Sequence, residues 1–167
     1  MLASKLASAS NTRAAWMSAI GAVILSANAG SAVAACDTKL AKGIADKVSS
    51  EVAIMIQFTK ATCLPTTDAG KCSILCVSDL RISGLNRNIV LTFITASAGK
   101  KMRDAGLGRF SSIVFADRGL LEKKRALKLT ADRASALQSG FATTSEKPEA
   151  MATRVGNEYT EVDQSKM

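Results

Sequence analysis

The apolar positions of this chain change period several times, and each change marks an element. Between Asp37 and Ser50, Leu40, Ile44 and Val48 recur every fourth residue, one stripe of an amphipathic helix with Asp37 placed to cap it. From Glu51 to Thr59 the period falls to two, with Val52, Ile54, Ile56 and Phe58 alternating, which predicts a strand or a continuation of the helix. Cys72 to Val77 is an apolar run that predicts another strand. Asp79 to Asn88 reads as a bent strand turning at Ser83 and Gly84.

The stretch from Asn88 to Phe115 reads as the centre of the fold. Asn88 to Thr95 is β-branched and aromatic, as buried strands are, and so is Arg109 to Phe115. Between them, Ala96 to Leu107 is alanine-rich and charged and ends at Gly106 and Gly108, which predicts a helix. Lys124 to Leu129 alternates as an edge strand would, and Thr130 can cap a last helix with Ala134, Leu137 and Phe141 on one face. From Ala142 the pattern is lost, and residues 142–167 read as a disordered polar tail. The predicted order is α-β-β-β-α-β-β-α. That order implies an α+β two-layer sandwich over residues 36–141, with helices on one face of a small mixed sheet.

The first 35 residues follow a different plan. Lys5 and Arg13 precede an apolar run from Ala14 to Ala29, and Ser31-Ala-Val-Ala-Ala35 supplies small residues for a cut. This is the tripartite layout of a secretory signal peptide, and the expected compartment is the bacterial periplasm or the exterior. Val33-Ala34-Ala35-Cys36 also resembles a bacterial lipobox, which would place a lipid anchor on Cys36.

Export changes the meaning of the cysteines. There are four, Cys36, Cys63, Cys72 and Cys76, an even number suited to two disulfides. Cys72 and Cys76 lie about 13 Å apart if that run is a strand, beyond the ~7 Å a disulfide spans. Cys63 with Cys72 would tie the turn-rich loop between them, leaving Cys36 for Cys76. The alternative pairs Cys63 with Cys76 and Cys36 with Cys72. A metal would need all four thiolates, because the chain has no histidine, so no metal site is expected.

Charge narrows the partners. Residues 36–141 carry 17 basic and 9 acidic side chains, and residues 142–167 carry 3 and 5. Lys100, Lys101 and Arg103 form one basic cluster, and Lys123, Lys124 and Arg125 with Lys128 form a second; together they are candidates for one anion-binding surface. An envelope surface suits them better than nucleic acid, since only Phe110 is at hand for base stacking. Ala98-Gly99-Lys100-Lys101 has Ile94 and Lys101 where a phosphate loop needs glycine and Ser or Thr, so no nucleotide is expected.

Catalysis has little to build on. Ser97 to Lys100 is similar to the S-x-x-K of penicillin-binding proteins and class A β-lactamases, over four residues only. The companion S-D-N and K-T-G motifs are missing. No family resemblance covers a substantial part of the chain. The expected protein is an exported, non-enzymatic envelope protein, without a cofactor, that binds an anionic surface or a protein partner. The alternatives are an assembly component of an envelope complex and a small hydrolase. A hydrolase would need a concave pocket with converging polar groups around Ser97 and Lys100.

Overall fold

Asp37 begins the first helix: its Oδ1 accepts the backbone N–H groups of Lys39 and Leu40, both at 3.1 Å. This helix, α1, spans Thr38–Met55 and buries Ala41, Ile44, Ala45, Val48 and Val52. The computed structural model describes residues 35–56 and 59–166. The export signal expected over residues 1–35, Ala35 apart, lies outside the described residues, as does Phe58. Of the strand expected at Glu51 to Thr59, Glu51 to Met55 are instead the last turn of α1, and Thr59 lies in a bend. Val52 and Ile56 are one helical turn apart and both buried, so the i, i+4 spacing prevails over the alternation.

Strands β1 (Ala61–Asp68) and β2 (Lys71–Ser78) form an antiparallel hairpin. Its turn is Ala69-Gly70, both at positive φ (50° and 79°), the backbone that a two-residue hairpin needs. With Asp68 opposite Lys71, the register sets Cys63 opposite Cys76, and these two are disulfide-bonded with α-carbons 4.0 Å apart. Cys36 is bonded to Cys72, which fastens the start of α1 to the start of β2. The expected Cys63–Cys72 and Cys36–Cys76 pairing is therefore corrected: the loop supposed to separate Cys63 from Cys72 is strand, and the turn register does not bring them together. A sulfur in a disulfide cannot also carry a thioether, so the lipid anchor on Cys36 falls with it.

The outer edge of β1 is blunted. Cys63 N–H donates to Ser49 Oγ at 2.7 Å, and Ser49 Oγ donates back to the Cys63 carbonyl at 3.3 Å. Pro65 has no N–H to offer, so little of this edge is left to template another strand.

From Gly84 to Asp104 the chain is one continuous helix, α2. The strand expected at Asn88 to Thr95 is corrected, and the helix expected at Ala96 to Leu107 is the second half of α2. Val90, Leu91, Ile94, Ala98 and Met102 are all buried, because the sheet and three other helices surround α2. A helix covered all round shows no amphipathic stripe, and its β-branched content then imitates a strand. Thr92 and Thr95 donate to the carbonyls of Asn88 and Leu91, four residues back, which satisfies their hydroxyls within the helix.

After a short 3-10 turn, β3 (Phe110–Asp117) pairs parallel to β2; then come α3 (Arg118–Glu122) and β4 (Arg125–Thr130). Thr130 Oγ1 accepts from Arg133 N–H and caps α4 (Ala131–Phe141), as the sequence predicts. The strands expected at Cys72 to Val77, Arg109 to Phe115 and Lys124 to Leu129 are present, each within about two residues. The sheet is mixed, in the order β1-β2-β3-β4-β5. Buried side chains of α1, α2 and α4 share one core with Ile74, Ile113, Phe115 and Leu129 of the sheet. The other face carries a small second cluster of Val114, Ala116 and Ala126. Gly99 is where α2 and α4 come closest: a Cβ there would lie 2.7 Å from the Ala134 carbonyl oxygen.

The tail is the largest correction. Of the disordered tail expected over residues 142–167, the described part to residue 166 holds α5 (Pro148–Glu158) and β5 (Thr160–Asp163), and β5 pairs antiparallel with β4. Ala152 and Val155 are buried on α5, and Tyr159 anchors its end. Thr95 spends its proton on Leu91, so the Tyr159 hydroxyl donates to Thr95 Oγ1, at 2.9 Å. Burial drives the Tyr159 phenol well above its ordinary range. Tyr159→Phe is expected to cost about 1 kcal/mol, one hydrogen bond, and Tyr159→Ala ~3–5 kcal/mol, measured by urea unfolding. Equal, small losses for both would show that the tail is not docked there.

Candidate functional site

The first basic cluster sits on the last turns of α2, and each cation has a partner. Lys100 Nζ meets Asp104 Oδ2 at 2.5 Å, Lys101 Nζ meets Glu51 Oε1 at 2.6 Å, and Arg103 donates to Ser139. Lys123 and Lys124 lie between α3 and β4, and Arg125 opens β4, where it faces Glu161 at 3.5 Å. The two clusters do not share a surface. One leads into β3 and the other follows it, so the eight residues of β3 separate them, about 25 Å at ~3.3 Å per residue.

Around Ser97 the chain does form a depression, of about 300 Å³, lined by Glu51, Met55, Phe93, Ser97, Lys100 and Lys101 among others. Its polar groups are occupied with one another. Ser97 Oγ donates to Glu51 Oε2 at 2.5 Å, and Lys101 Nζ reaches both Glu51 oxygens and lies 3.3 Å from Ser97 Oγ. The lysine beside Ser97 is thus Lys101, one turn on, and not the Lys100 of S-x-x-K. The Lys101 ammonium, and then the Ser97 hydroxyl, hold the Glu51 carboxyl below its ordinary range. A lysine that serves as general base for serine must be a neutral amine. Here Lys101 is engaged with both oxygens of a carboxylate instead. The arrangement is a surface ion pair tying α1 to α2.

A different grouping emerges at the end of the sheet where β1 begins and β2 and β3 finish. Three connections meet there: α1 to β1, β2 to α2, and β3 to β4 through α3. They are tied to one another. Ser78 Oγ donates to the Thr59 carbonyl at 2.5 Å, Arg118 N–H to the Leu80 carbonyl at 3.1 Å, and Arg81 pairs with Glu122. The described residues leave six large apolar side chains exposed, and five of them flank these connections: Ile54 and Met55 on the last turn of α1, Leu80 between β2 and α2, Leu85 on the first turn of α2 and Leu121 on α3. Ile54 is 74% exposed and Met55 61%.

Cations surround them. Residues 54–60, 79–87 and 117–125 contain seven, Lys60, Arg81, Arg87, Arg118, Lys123, Lys124 and Arg125, against three carboxylates, Asp79, Asp117 and Glu122. Asp117 is buried against Arg87, and Glu122 meets Arg81 and Arg118. Among the described residues, Lys60, Lys123 and Lys124 form no ion pair. Sequence reasoning singled out Lys123, Lys124 and Arg125 for their charge and passed over the leucines, since Leu80 and Leu85 looked like strand and loop positions.

Two disulfides suit an oxidising, extracytoplasmic compartment, and no helix among the described residues is long and apolar enough to cross a membrane. Compared with known proteins, the chain matches no family model, no curated protein and no solved structure.

Proposed function

We propose that the protein is an exported, non-enzymatic domain of the bacterial cell envelope that docks on an anionic membrane surface through the end of its sheet described above. Five exposed apolar side chains, Ile54, Met55, Leu80, Leu85 and Leu121, on the segments that lead into and out of this end, together with Lys60, Lys123 and Lys124, which form no ion pair among the described residues, carry this reading. Exposed apolar side chains collected in one place mark an interaction surface, whereas scattered ones mark nothing. Apolar side chains entering the headgroup boundary and cations meeting anionic headgroups reinforce one another, each cation contributing about 1 kcal/mol near such a surface. The disulfides support the compartment, and the ion-paired Lys101 supports a binding role over a serine hydrolase.

Vesicle sedimentation tests it. The disulfide-intact protein should pellet with vesicles rich in phosphatidylglycerol, less so as salt rises, and not with pure phosphatidylcholine. Leu85→Glu with Leu121→Glu should abolish pelleting, and Lys123→Glu with Lys124→Glu should weaken it at least tenfold. Indifference to lipid charge would overturn the reading. So would a stable complex with one envelope protein that blocks vesicle binding, which would make the same end a protein interface.

A further inference from the structure

The sheet face turned away from the helices holds a cavity of about 200 Å³, lined by Thr66, Asp68, Ser73, Leu75, Val114 and Lys128 among others. Its floor is unexpected for a sheet this apolar. Ser73 and Ser112, on neighbouring strands, are 1% and 0% exposed, and their hydroxyl oxygens lie 3.0 Å apart. One hydroxyl donates to the other. The accepting hydroxyl keeps its own proton, for which the described residues offer no partner. Burying such a donor unused is costly, and it is the kind of group a ligand satisfies.

The rim adds charge of both signs. Lys128 Nζ is 2.6 Å from Asp68 Oδ2, and Ser111 Oγ donates to the same oxygen at 2.8 Å. Ser111 is free to do so because β3 carries an extra residue there: Cys72 pairs with Phe110 but Ser73 with Ser112. Asp68 Oδ1 accepts nothing among the described residues, and the Lys128 ammonium has further N–H groups. The site therefore presents donors from Lys128 and the serine pair, an acceptor at Asp68 Oδ1, apolar walls at Leu75 and Val114, and no net charge.

We propose that this cavity is a binding site for a small neutral ligand presenting an amide, such as an N-acetyl group or a peptide unit. An amide carries an acceptor for the serine hydroxyl and Lys128, a donor for Asp68, and carbon on either side for Leu75 and Val114. A free carboxylate would face Asp68, a free amine would face Lys128, and a polyol would set hydroxyls against the two apolar walls. The volume equals the share of roughly seven waters at ~30 Å³ each, which suits a terminal group of that size.

Nuclear magnetic resonance on the disulfide-intact protein tests the site with four probes. N-acetylglucosamine and N-acetylalanine methylamide present the amide from a sugar and from a peptide; glucose and acetate lack it. At least one amide probe should shift the backbone signals of Ser73, Leu75, Ser112 and Val114, and which one does so identifies the source. Ser73→Ala with Ser112→Ala removes both partners of one hydrogen bond, which the fold tolerates, and should weaken binding about tenfold or more. The site is refuted if neither amide probe shifts these signals, if glucose or acetate shifts them as strongly, or if the folded double variant binds like the parent.

Discussion

Reduced protein is expected to unfold in urea far below the oxidised protein, or to be unfolded without urea. The two disulfides close loops of different length: Cys36–Cys72 spans 36 residues and Cys63–Cys76 spans 13. On the chain-entropy account these contribute about 4 and about 3 kcal/mol, against a net stability of ~5–15 kcal/mol for a domain. Cys36→Ser with Cys72→Ser should therefore cost more than Cys63→Ser with Cys76→Ser. Local structure points the same way. The β1–β2 hairpin keeps its Ala69-Gly70 turn and the Ser49 contacts without its disulfide. The start of α1 keeps only the Cys36 N–H bond to the Gly70 carbonyl, at 3.2 Å, and the Asp37 cap. Urea midpoints of the two double variants, with and without reductant, read the order. A reduced midpoint equal to the oxidised one would mean the bridges do not form, and the extracytoplasmic compartment would lose its support.

The helices legible in the sequence are those with one face wet. Leu40, Ile44 and Val48 marked α1 because Lys39, Lys42 and Lys47 look outward, and Thr130 marked the start of α4 because its hydroxyl has a backbone donor to meet. The helix α2 was hidden by its position: Ile89, Val90, Thr92, Ile94 and Thr95 are dense because several neighbours cover it, and density without a stripe reads as strand. The tail was hidden by small residues. Pro148 at the first helical position and the Ala152, Val155, Tyr159 spacing were both visible, but Ala152 and Gly156 add little to a hydrophobic pattern. At the anion-binding residues, composition fixed which side chains are cationic. It could not say that Lys100, Lys101 and Arg103 are each partnered within the fold, because those partners, Asp104 apart, are distant in sequence.

Replacing Arg87 is expected to be among the most destabilising single changes at a partly exposed position. Arg87 Nε donates to Asp117 Oδ2 at 2.8 Å, and the Asp117 side chain is fully buried. Its other oxygen accepts the Leu120 N–H at 2.9 Å and caps α3. Arg87→Met leaves that carboxylate buried without its cation, a loss of ~3–5 kcal/mol by analogy with other broken buried pairs. Adding Asp117→Asn removes the stranded charge and keeps the cap oxygen, so the double variant should be more stable than Arg87→Met alone. That reversal is the signature of the pair, since two unrelated losses would add. The same pair joins the first turn of α2, which carries Leu85, to the start of α3, which carries Leu121. Arg87→Met should therefore speed hydrogen exchange at Leu120 and weaken vesicle binding while leaving exchange in β1 and β2 slow. A midpoint within about 0.5 kcal/mol of the parent would show that Asp117 is satisfied without Arg87, and the docking end would then owe its order to the Leu80 and Thr59 bonds instead.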